Sequence, residues 1–236
     1  MTRSTTFPPG HSNFGSRPVP PLEPGDRLSR AEFERRYAAM PDLKKAELIE
    51  GVVYMPAAVR ARNHGRPQSH LLTWLGCYEA STPHMFVADN ASVRLDLDNM
   101  PQPDALLLIE PGFGGQATIS DDDYVEKAPE LVAEIASSSV SFDLNTKMQV
   151  YLRNGVKEYL VWRVLDRQFD WFVFRDGEFH KQAPDPEGIL KSTVFPGLWL
   201  DAAALLEGKL SQVLAVLDRG IKSPEHAAFV AKLQGK

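Results

Sequence analysis

Residues 128–164 read APELVAEIASSSVSFDLNTKMQVYLRNGVKEYLVWRV, and this stretch decides the fold. The segment 128–139 is apolar enough to predict a strand in the middle of a sheet, and a second strand is predicted from 157 onward. Between them, 141–156 has the pattern of a helix, with Gly155 as its left-handed C-cap. A strand, a helix and a strand in this order predict a crossover that places the two strands in parallel.

The flanking sequence adds further helices and strands to the same domain. The strands that follow the crossover end in a tight hairpin, which the dipeptide Asp176-Gly177 predicts. Together the elements indicate an α/β (α+β) fold with one mixed β-sheet flanked by helices. The other predicted elements are a helix over 28–40, a bent strand over 44–59, a helix over 65–80, two strands in 84–100, a strand over 101–110, a short helix in 195–208 and one or two helices in 211–234.

The two ends of the chain are predicted to lie outside the main domain. Residues 1–26 are rich in Pro, Gly and Ser and almost free of aliphatic side chains. Such a segment cannot bury enough apolar surface to offset the entropy lost on ordering, so we expect a flexible N-terminal tail. The ordered domain is predicted over 27–210, and 211–236 is predicted to be a C-terminal helical extension.

The composition excludes several classes of protein. The chain has 236 residues, 26 Lys and Arg against 31 Asp and Glu, and a single cysteine, Cys77. One cysteine excludes an intrachain disulfide framework and a cysteine-based zinc site, and it fits a reducing cytoplasm. No apolar run approaches the roughly 20 residues needed to cross a membrane. The net charge of −5 argues against a broad, non-specific nucleic-acid surface but leaves a local basic groove open.

Three charged residues stand where the predicted elements can bring them to one end of the sheet. Asp104 opens the apolar strand of 101–110, Glu134 lies among apolar residues of the central strand, and Lys147 follows early in the next helix. Each has an ordinary structural explanation when taken alone. Asp104 can cap a turn, Glu134 can form a buried ion pair, and Lys147 can form a surface ion pair with Asp143.

Taken together, the three residues favour chemistry on a phosphodiester. Two carboxylates with water and phosphate oxygens supply the hard ligands that Mg²⁺ prefers, and Mn²⁺ is a possible substitute. A cation held in this way can activate water for in-line displacement, while a lysine amine offsets the charge of the transition state. No nucleophile elbow for acyl transfer is visible in the sequence.

Four segments carry a resemblance to a known family: AELIEGVVYMPAAV (46–59), QPDALLLI (102–109), the stretch 129–163, and FPGLWLDAAALL (195–206). They resemble the Uma2 family of bacterial proteins, which is assigned to the PD-(D/E)XK nuclease superfamily and described as candidate restriction endonucleases. The resemblance is most specific in 129–163. It implies a restriction-endonuclease-like fold and a Mg²⁺-dependent endonuclease that hydrolyses phosphodiester bonds in DNA.

The resemblance also implies roles for individual residues. Asp104 and Glu134 match the acidic residues of the superfamily signature, and Lys147 matches the lysine that this family carries on the following helix. Glu47 matches an upstream glutamate that supports the metal site, so Asp104, Glu134 and Glu47 are the expected metal ligands. Glu50 is a weaker candidate for that role, because on a regular strand Glu47 and Glu50 would point to opposite faces.

Two departures from the superfamily pattern concern the lysine. Ala136 stands where the common signature has a lysine. In the Uma2 family the amine comes instead from the lysine of the following helix, which Lys147 matches. The usual Ser-Pro-Ser-Thr-like stretch is replaced by Ser-Ser-Ser-Val at 137–140, so the loop that leads to Lys147 can differ in shape.

The segment RARNHGR at 60–66 is the clearest basic cluster of the chain. It can be a solvated loop or a contact to phosphates, and Arg163 and Arg167 can add to it. His64 matches a histidine often found in the family, although a histidine near a helix N-terminus is more often a capping or exposed residue than a catalyst. The predicted nucleic-acid contacts are Arg60, Arg62, His64 and Arg66.

Two other functions stay open at this point. One is a catalytically inactive nuclease-fold protein that binds nucleic acid or protein, although the retained Asp104, Glu134 and Lys147 argue against it. The other is an acidic interaction protein that assembles through the aromatic strands of 162–174, which otherwise belong to the core rather than to a base-stacking surface. DNA is the expected partner, and a homodimer is expected because two-fold assemblies are the commonest.

Overall fold

A six-stranded mixed sheet forms the centre of the protein. The structure, a computed structural model, describes residues 18–56 and 60–235. In order across the sheet, the strands are β11 (Glu178–Lys181), β10 (Gln168–Arg175), β9 (Glu158–Arg163), β8 (Leu131–Ala136), β5 (Ala105–Ile109) and β3 (Met85–Ala88).

The predicted crossover joins the one parallel pair of this sheet. β8 and β9 run parallel, and the other neighbouring strands of the sheet are antiparallel. The chain between them forms α3 (Val140–Phe142), a π-helical turn (Asp143–Lys147) and α4 (Met148–Asn154). The mixed sheet that the sequence predicts is therefore confirmed.

Smaller sheets and helices surround this centre. β1 (Glu47–Ile49) pairs with β2 (Val52–Tyr54) and β12 (Ile189–Lys191) with β13 (Trp199–Asp201), while β7 (Val125–Glu126) lies between β4 (Val93–Arg94) and β6 (Thr118–Ile119). None of the helices within 18–56 and 60–235 is long and apolar enough to span a membrane. The elements are α1 (Arg30–Ala38), β1 (Glu47–Ile49), β2 (Val52–Tyr54), a π-helical turn (Ala61–Gly65), α2 (Arg66–Glu79), β4 (Val93–Arg94), a 3-10 turn (Pro111–Phe113), β6 (Thr118–Ile119), β7 (Val125–Glu126), β12 (Ile189–Lys191), β13 (Trp199–Asp201), α5 (Ala202–Leu206), α6 (Leu210–Ile221) and α7 (Pro224–Leu233).

Two turns behave as their glycines predict. Gly155 ends α4 with a φ of 85°, the left-handed conformation of a helix C-cap. The hairpin between β10 and β11 turns at Asp176 and Gly177, whose φ values are 52° and 86°. Positive φ at both central residues is what a tight hairpin needs, so this prediction is also confirmed.

The two faces of β8 belong to different hydrophobic clusters, because successive strand residues point to opposite sides of a sheet. Ile135 joins the larger cluster, which contains Trp74 of α2 and Leu217 of α6. Val132 joins a second cluster that contains Tyr151 of α4. Residues of β8 that share the face of Val132 are therefore directed toward the crossover helix.

Both ends of the described chain pack onto the domain. Within 18–26, Leu22 is buried in a cluster that includes residues of α1, β1 and β2. The rest of the predicted tail, 1–17, lies outside the described residues. At the other end, α6 and α7 contribute Leu217 and Leu233 to the larger cluster. The predicted extension is thus helical and shares the core, while the proposed domain boundaries stay predictions.

Candidate active site

The four residues predicted to form the site come together beside the C-terminal half of β8. Glu47 lies on β1, Asp104 directly before β5, Glu134 on β8, and Lys147 at the end of the π-helical turn. Their exposed fractions are only 5, 4, 3 and 3%, respectively. Four charged side chains so deeply buried need partners, because an unpaired buried charge is strongly unfavourable.

Lys147 provides the cation that joins two of the carboxylates. Its Nζ lies 2.7 Å from Glu134 Oε1 and 2.9 Å from Glu47 Oε1. The Tyr151 hydroxyl donates to the same oxygen of Glu134 at 2.8 Å, and the Gln102 N–H donates to Glu47 Oε1 at 2.8 Å. Glu134 therefore forms a buried ion pair, which the sequence analysis gives as its structural explanation. Its partner is Lys147, the lysine that the functional interpretation places in the same site.

The π-helical turn determines how Lys147 reaches this position. A π turn carries one more residue than an α turn, so it changes which side chains face the sheet, and such turns are frequent at functional sites. Here both ends of the turn, Asp143 and Lys147, are buried. The interpretation of these two residues as a surface ion pair is therefore wrong.

Asp143 is a further buried carboxylate that the sequence interpretation did not assign to the site. Its Oδ2 accepts a hydrogen bond from the Ser139 hydroxyl at 2.5 Å, and its backbone carbonyl accepts one from the Tyr159 hydroxyl at 3.1 Å. Burial raises its pKa, although the charge of Lys147 acts in the opposite direction. The one signal in the sequence for Asp143 was its spacing of four residues from Lys147, which places two helical side chains on the same face.

Asp104 is held by two cationic side chains and one backbone amide. Its Oδ1 lies 3.0 Å from Lys45 Nζ and 3.3 Å from His64 Nε2, and its Oδ2 accepts from the Ile135 N–H at 2.8 Å. Burial alone would raise the pKa of Asp104, but the hydrogen bond to His64 and the charge of Lys45 outweigh it and hold the pKa well below its usual range. The amide belongs to the neighbouring strand, so the interpretation as a local turn cap is wrong.

Lys45 is not predicted as a site residue, because nothing in the sequence distinguishes it from the adjacent Lys44. His64 was found, but as one of four nucleic-acid contacts, and the structure directs it inward from the π-helical turn before α2. Arg60, Arg62 and Arg66 of the same segment are exposed.

The pairing of His64 makes a pH-dependent contribution to stability. The hydrogen bond to Asp104 raises the pKa of His64 above its ordinary value of 6.5, so the folded state binds this proton more tightly than the unfolded state. The stabilisation is complete below about pH 6.5 and is lost as the pH rises through the raised pKa. We expect His64→Gln to lower the free energy of unfolding most at acid pH, as measured by urea unfolding over about pH 5.5 to 9.

The control for this experiment is His180→Gln, at an exposed histidine of β11. A difference between wild type and His64→Gln that stays constant over the whole pH range would contradict the assignment.

The cluster as a whole carries excess negative charge. Burial is the main cause that raises the pKa of Glu134, and the charges of Asp104, Asp143 and Glu47 raise it further against the effect of Lys147. Burial would lower the pKa of Lys147, but the charges of the surrounding carboxylates outweigh it and keep the amine protonated. Excess negative charge in a buried place favours an additional cation.

A hard divalent cation fits the chemistry of these donors. Among the described residues, Oε2 of Glu134 and Oε2 of Glu47 form no hydrogen bond, which leaves them available as ligands. No three His, Cys, Asp or Glu side chains within 18–56 and 60–235 are arranged as a ready ligand set. The donors therefore suit an ion such as Mg²⁺, which is held by one or two carboxylates and keeps water or substrate oxygens as its other ligands.

Glu50 does not belong to the cluster. It lies at the turn between β1 and β2 with a φ of 52°, is exposed, and pairs at the surface with Arg153. Glu47 is thus the upstream glutamate that faces the other carboxylates. Arg163 is also engaged elsewhere, because its guanidinium pairs with Asp170 at 2.7 Å.

Comparison with known proteins agrees with the fold and the family resemblance. The model of the Uma2 family, described as "Putative restriction endonuclease", matches residues 30–203. The crystal structure of a "putative nuclease belonging to DUF820" from Anabaena variabilis ATCC 29413 is similar, with a TM-score of 0.54 and 14% sequence identity. The match covers 73% of this chain and 97% of that chain, and at this identity it bears on the fold alone. No curated protein matches the sequence.

Proposed function

The chain belongs to the Uma2 family, and from this premise we propose that it is a Mg²⁺-dependent endonuclease that hydrolyses phosphodiester bonds in DNA. The observation that carries the proposal is the buried cluster in which Lys147 bridges Glu134 and Glu47 beside Asp104. The description of the family as a restriction endonuclease and the nuclease name of its structural neighbour support a nucleic-acid substrate.

Glu134 and Glu47 are the carboxylates that would bind the cation directly through Oε2, and Asp104 beside them would bind it through a water ligand, with Mn²⁺ as a substitute for Mg²⁺. When bound, such a cation polarises the phosphodiester and makes water a competent nucleophile at neutral pH. The neighbouring side chains position these ligands. Lys45 and His64 hold Asp104, while Tyr151 holds Glu134.

Lys147 is proposed to stabilise the charge that develops on the phosphate. Its amine is fixed between two carboxylates and its pKa is raised, so it stays protonated and in place throughout the reaction. A preorganised cation in a site that excludes water is worth far more than the same cation in solution. The amine can therefore act without reorganising when the substrate enters.

Three finer features complete the proposal. The description of the family as a restriction endonuclease supports DNA rather than RNA as the substrate. A homodimer would allow both strands of a duplex to be cut, and a two-fold arrangement is the commonest one. A cytoplasmic location fits the free thiol of Cys77, which forms no disulfide.

The test is cleavage of supercoiled plasmid DNA by the full chain with Mg²⁺ or Mn²⁺ and with EDTA. We expect nicking that needs the metal, and a loss of at least about 100-fold in rate for Glu47→Gln because a metal ligand is removed. Glu50→Gln is the matched control, since it changes the same residue type in the same hairpin but at the exposed position. Equal rates for the two variants would overturn the role of Glu47, and metal-independent or absent cleavage by the wild type would overturn the function.

One observation favours the second candidate, an inactive nuclease-fold protein that binds nucleic acid or protein. The buried carboxylates already have cationic partners from the chain itself, namely Lys147 for Glu134 and Lys45 for Asp104. Calorimetric titration with Mn²⁺ separates the candidates. Heat of binding that Asp104→Asn removes supports the nuclease, whereas a folded wild type without such heat supports the binding protein.

A further inference from the structure

A cleft of about 190 Å³ lies beside the candidate active site, between the start of α2, the turn after β9 and the end of α5. Its polar lining is strongly basic, with Glu207 as the one acidic side chain among the described lining residues. Trp162 contributes to its apolar floor. The basic residues are Arg62, Arg66, His70 and Arg167.

The three arginines of this cleft carry charge that the protein itself does not neutralise. Among the described residues, none of them forms an ion pair, whereas Arg94 and Arg163 pair with two or more carboxylates each. Residues 1–17, 57–59 and 236, which the structure does not describe, contain no Asp or Glu. Glu207 pairs with Lys209. In a chain with a net charge of −5, this local excess of positive charge indicates an anionic ligand.

The cleft and the carboxylate cluster lie on opposite faces of the sheet, near the same end of β8. Trp162 is the register partner of Ile135, whose N–H donates to Asp104. Neighbouring strands lie about 4.8 Å apart, so the floor of the cleft is one strand away from a residue that contacts the site. His64, which contacts Asp104, lies in the chain between Arg62 and Arg66. A strand bound at Asp104 can therefore reach the cleft around this end of the sheet, along the segment that carries Arg62, His64 and Arg66.

The size and chemistry of the cleft indicate which part of such a ligand it takes. Pockets for whole drug-sized molecules measure about 300 to 1,000 Å³, so this cleft suits one phosphate with part of its sugar rather than a complete nucleotide. Guanidinium groups match phosphate because two parallel N–H groups can donate to two of its oxygens. The Arg66 guanidinium packs close to the backbone of Gly208, since a Cβ there would lie 3.3 Å from Arg66 Nη2.

We propose that Arg62, Arg66 and Arg167 jointly hold one backbone phosphate of the nucleic-acid strand whose scissile phosphate is positioned at Asp104 and Glu134. The assignment rests on the proposed function and specifies how the substrate strand enters that site. Arg167 and His70 come from parts of the chain outside the basic segment 60–66. The contact is to the backbone, so it positions the strand without reading its sequence.

The test measures binding without cleavage. A short labelled DNA duplex is titrated with the full chain in EDTA, and fluorescence anisotropy yields the dissociation constant from about 50 to 200 mM salt. The double variant R66A/R167A is expected to bind about tenfold more weakly or worse, and to lose about one unit of the slope of log K against log salt, the amount for one phosphate. R175A, at an exposed arginine without an ion pair among the described residues, should keep the affinity and slope of the wild type.

Specific outcomes would overturn the inference. A double variant with wild-type affinity and slope, or one that behaves like R175A, excludes a substrate phosphate in the cleft. Calorimetry with inorganic phosphate tests the other source of the same ligand: phosphate heat that R66A/R167A removes, with unchanged DNA affinity, would assign the cleft to free phosphate. These assays need no turnover, so they test the cleft separately from the proposed function. The assignment of the cleft can be wrong while metal-dependent plasmid nicking is observed, and nicking can be absent while the salt slope still changes. Circular dichroism melting checks that each variant is folded.

Discussion

Replacement of Lys147 by methionine is expected to lower the free energy of unfolding by about 3 kcal/mol or more and to abolish DNA cleavage. Methionine has a similar length and no charge, so the change removes the ammonium without a large cavity. Glu134, Glu47 and the nearby Asp143 then stay buried without the cation that pairs with them. Breaking a buried ion pair by removing one partner is costly for this reason, even where the intact pair contributes little.

The measurement is urea unfolding at neutral pH together with plasmid nicking. Lys222→Met is the matched control, because Lys222 forms an exposed pair with Asp218 one helical turn away, and such pairs contribute about 0.3 to 0.5 kcal/mol. The destabilisation caused by Lys147→Met should also decrease at acid pH, where the remaining carboxylates take up protons. A free energy of unfolding equal to that of Lys222→Met would refute the buried bridging role.

Glu134→Gln is expected to abolish cleavage while the protein keeps or gains stability at neutral pH. Glutamine retains the shape of the side chain and can still accept a hydrogen bond from Tyr151. Lys147 keeps Glu47 as its partner at 2.9 Å. Loss of a metal ligand should reduce the rate of nicking by at least about 100-fold.

The expected gain in stability follows from the raised pKa of Glu134. Burial and three neighbouring carboxylates raise the pKa above its ordinary value of 4.5, so the folded state binds this proton more tightly than the unfolded state. The wild type therefore loses stability as the pH rises above about 4.5, and the neutral glutamine removes this loss. In urea unfolding, the free energy of unfolding of the variant should rise relative to that of the wild type as the pH is raised from about 4.5 to neutrality. A variant that nicks DNA at the wild-type rate, or is less stable at every pH, would refute this assignment.

The two variants act on the two halves of one ion pair in opposite ways. Removal of the cation leaves a surplus of buried negative charge, whereas removal of one carboxylate relieves that surplus. The contrast depends on the presence of Asp143 as an additional carboxylate, which became evident only from the structure.

The elements of the fold could be predicted because their signals are local. The apolar run 128–139, the helical pattern of 141–156 and the dipeptide Asp176-Gly177 each depend on neighbouring residues, and the structure has β8, α4 and the β10–β11 hairpin in these places. The π-helical turn at Asp143–Lys147 could not be predicted in this way. A helical pattern assumes 3.6 residues per turn, and a single wider turn within it leaves no mark on the periodicity.

Sequence alone determined the mixed sheet with its parallel crossover, the family, and the four residues Glu47, Asp104, Glu134 and Lys147 as candidates. The tertiary structure alone decided which side chains accompany them. Lys45 reaches Asp104 across 59 residues of chain, and the cleft joins Arg66 to Arg167 across an even longer separation. Such contacts follow from how β1, α2 and the turn after β9 approach the end of the sheet. Because packing of distant elements brings these charges together, no local pattern in the sequence marks them.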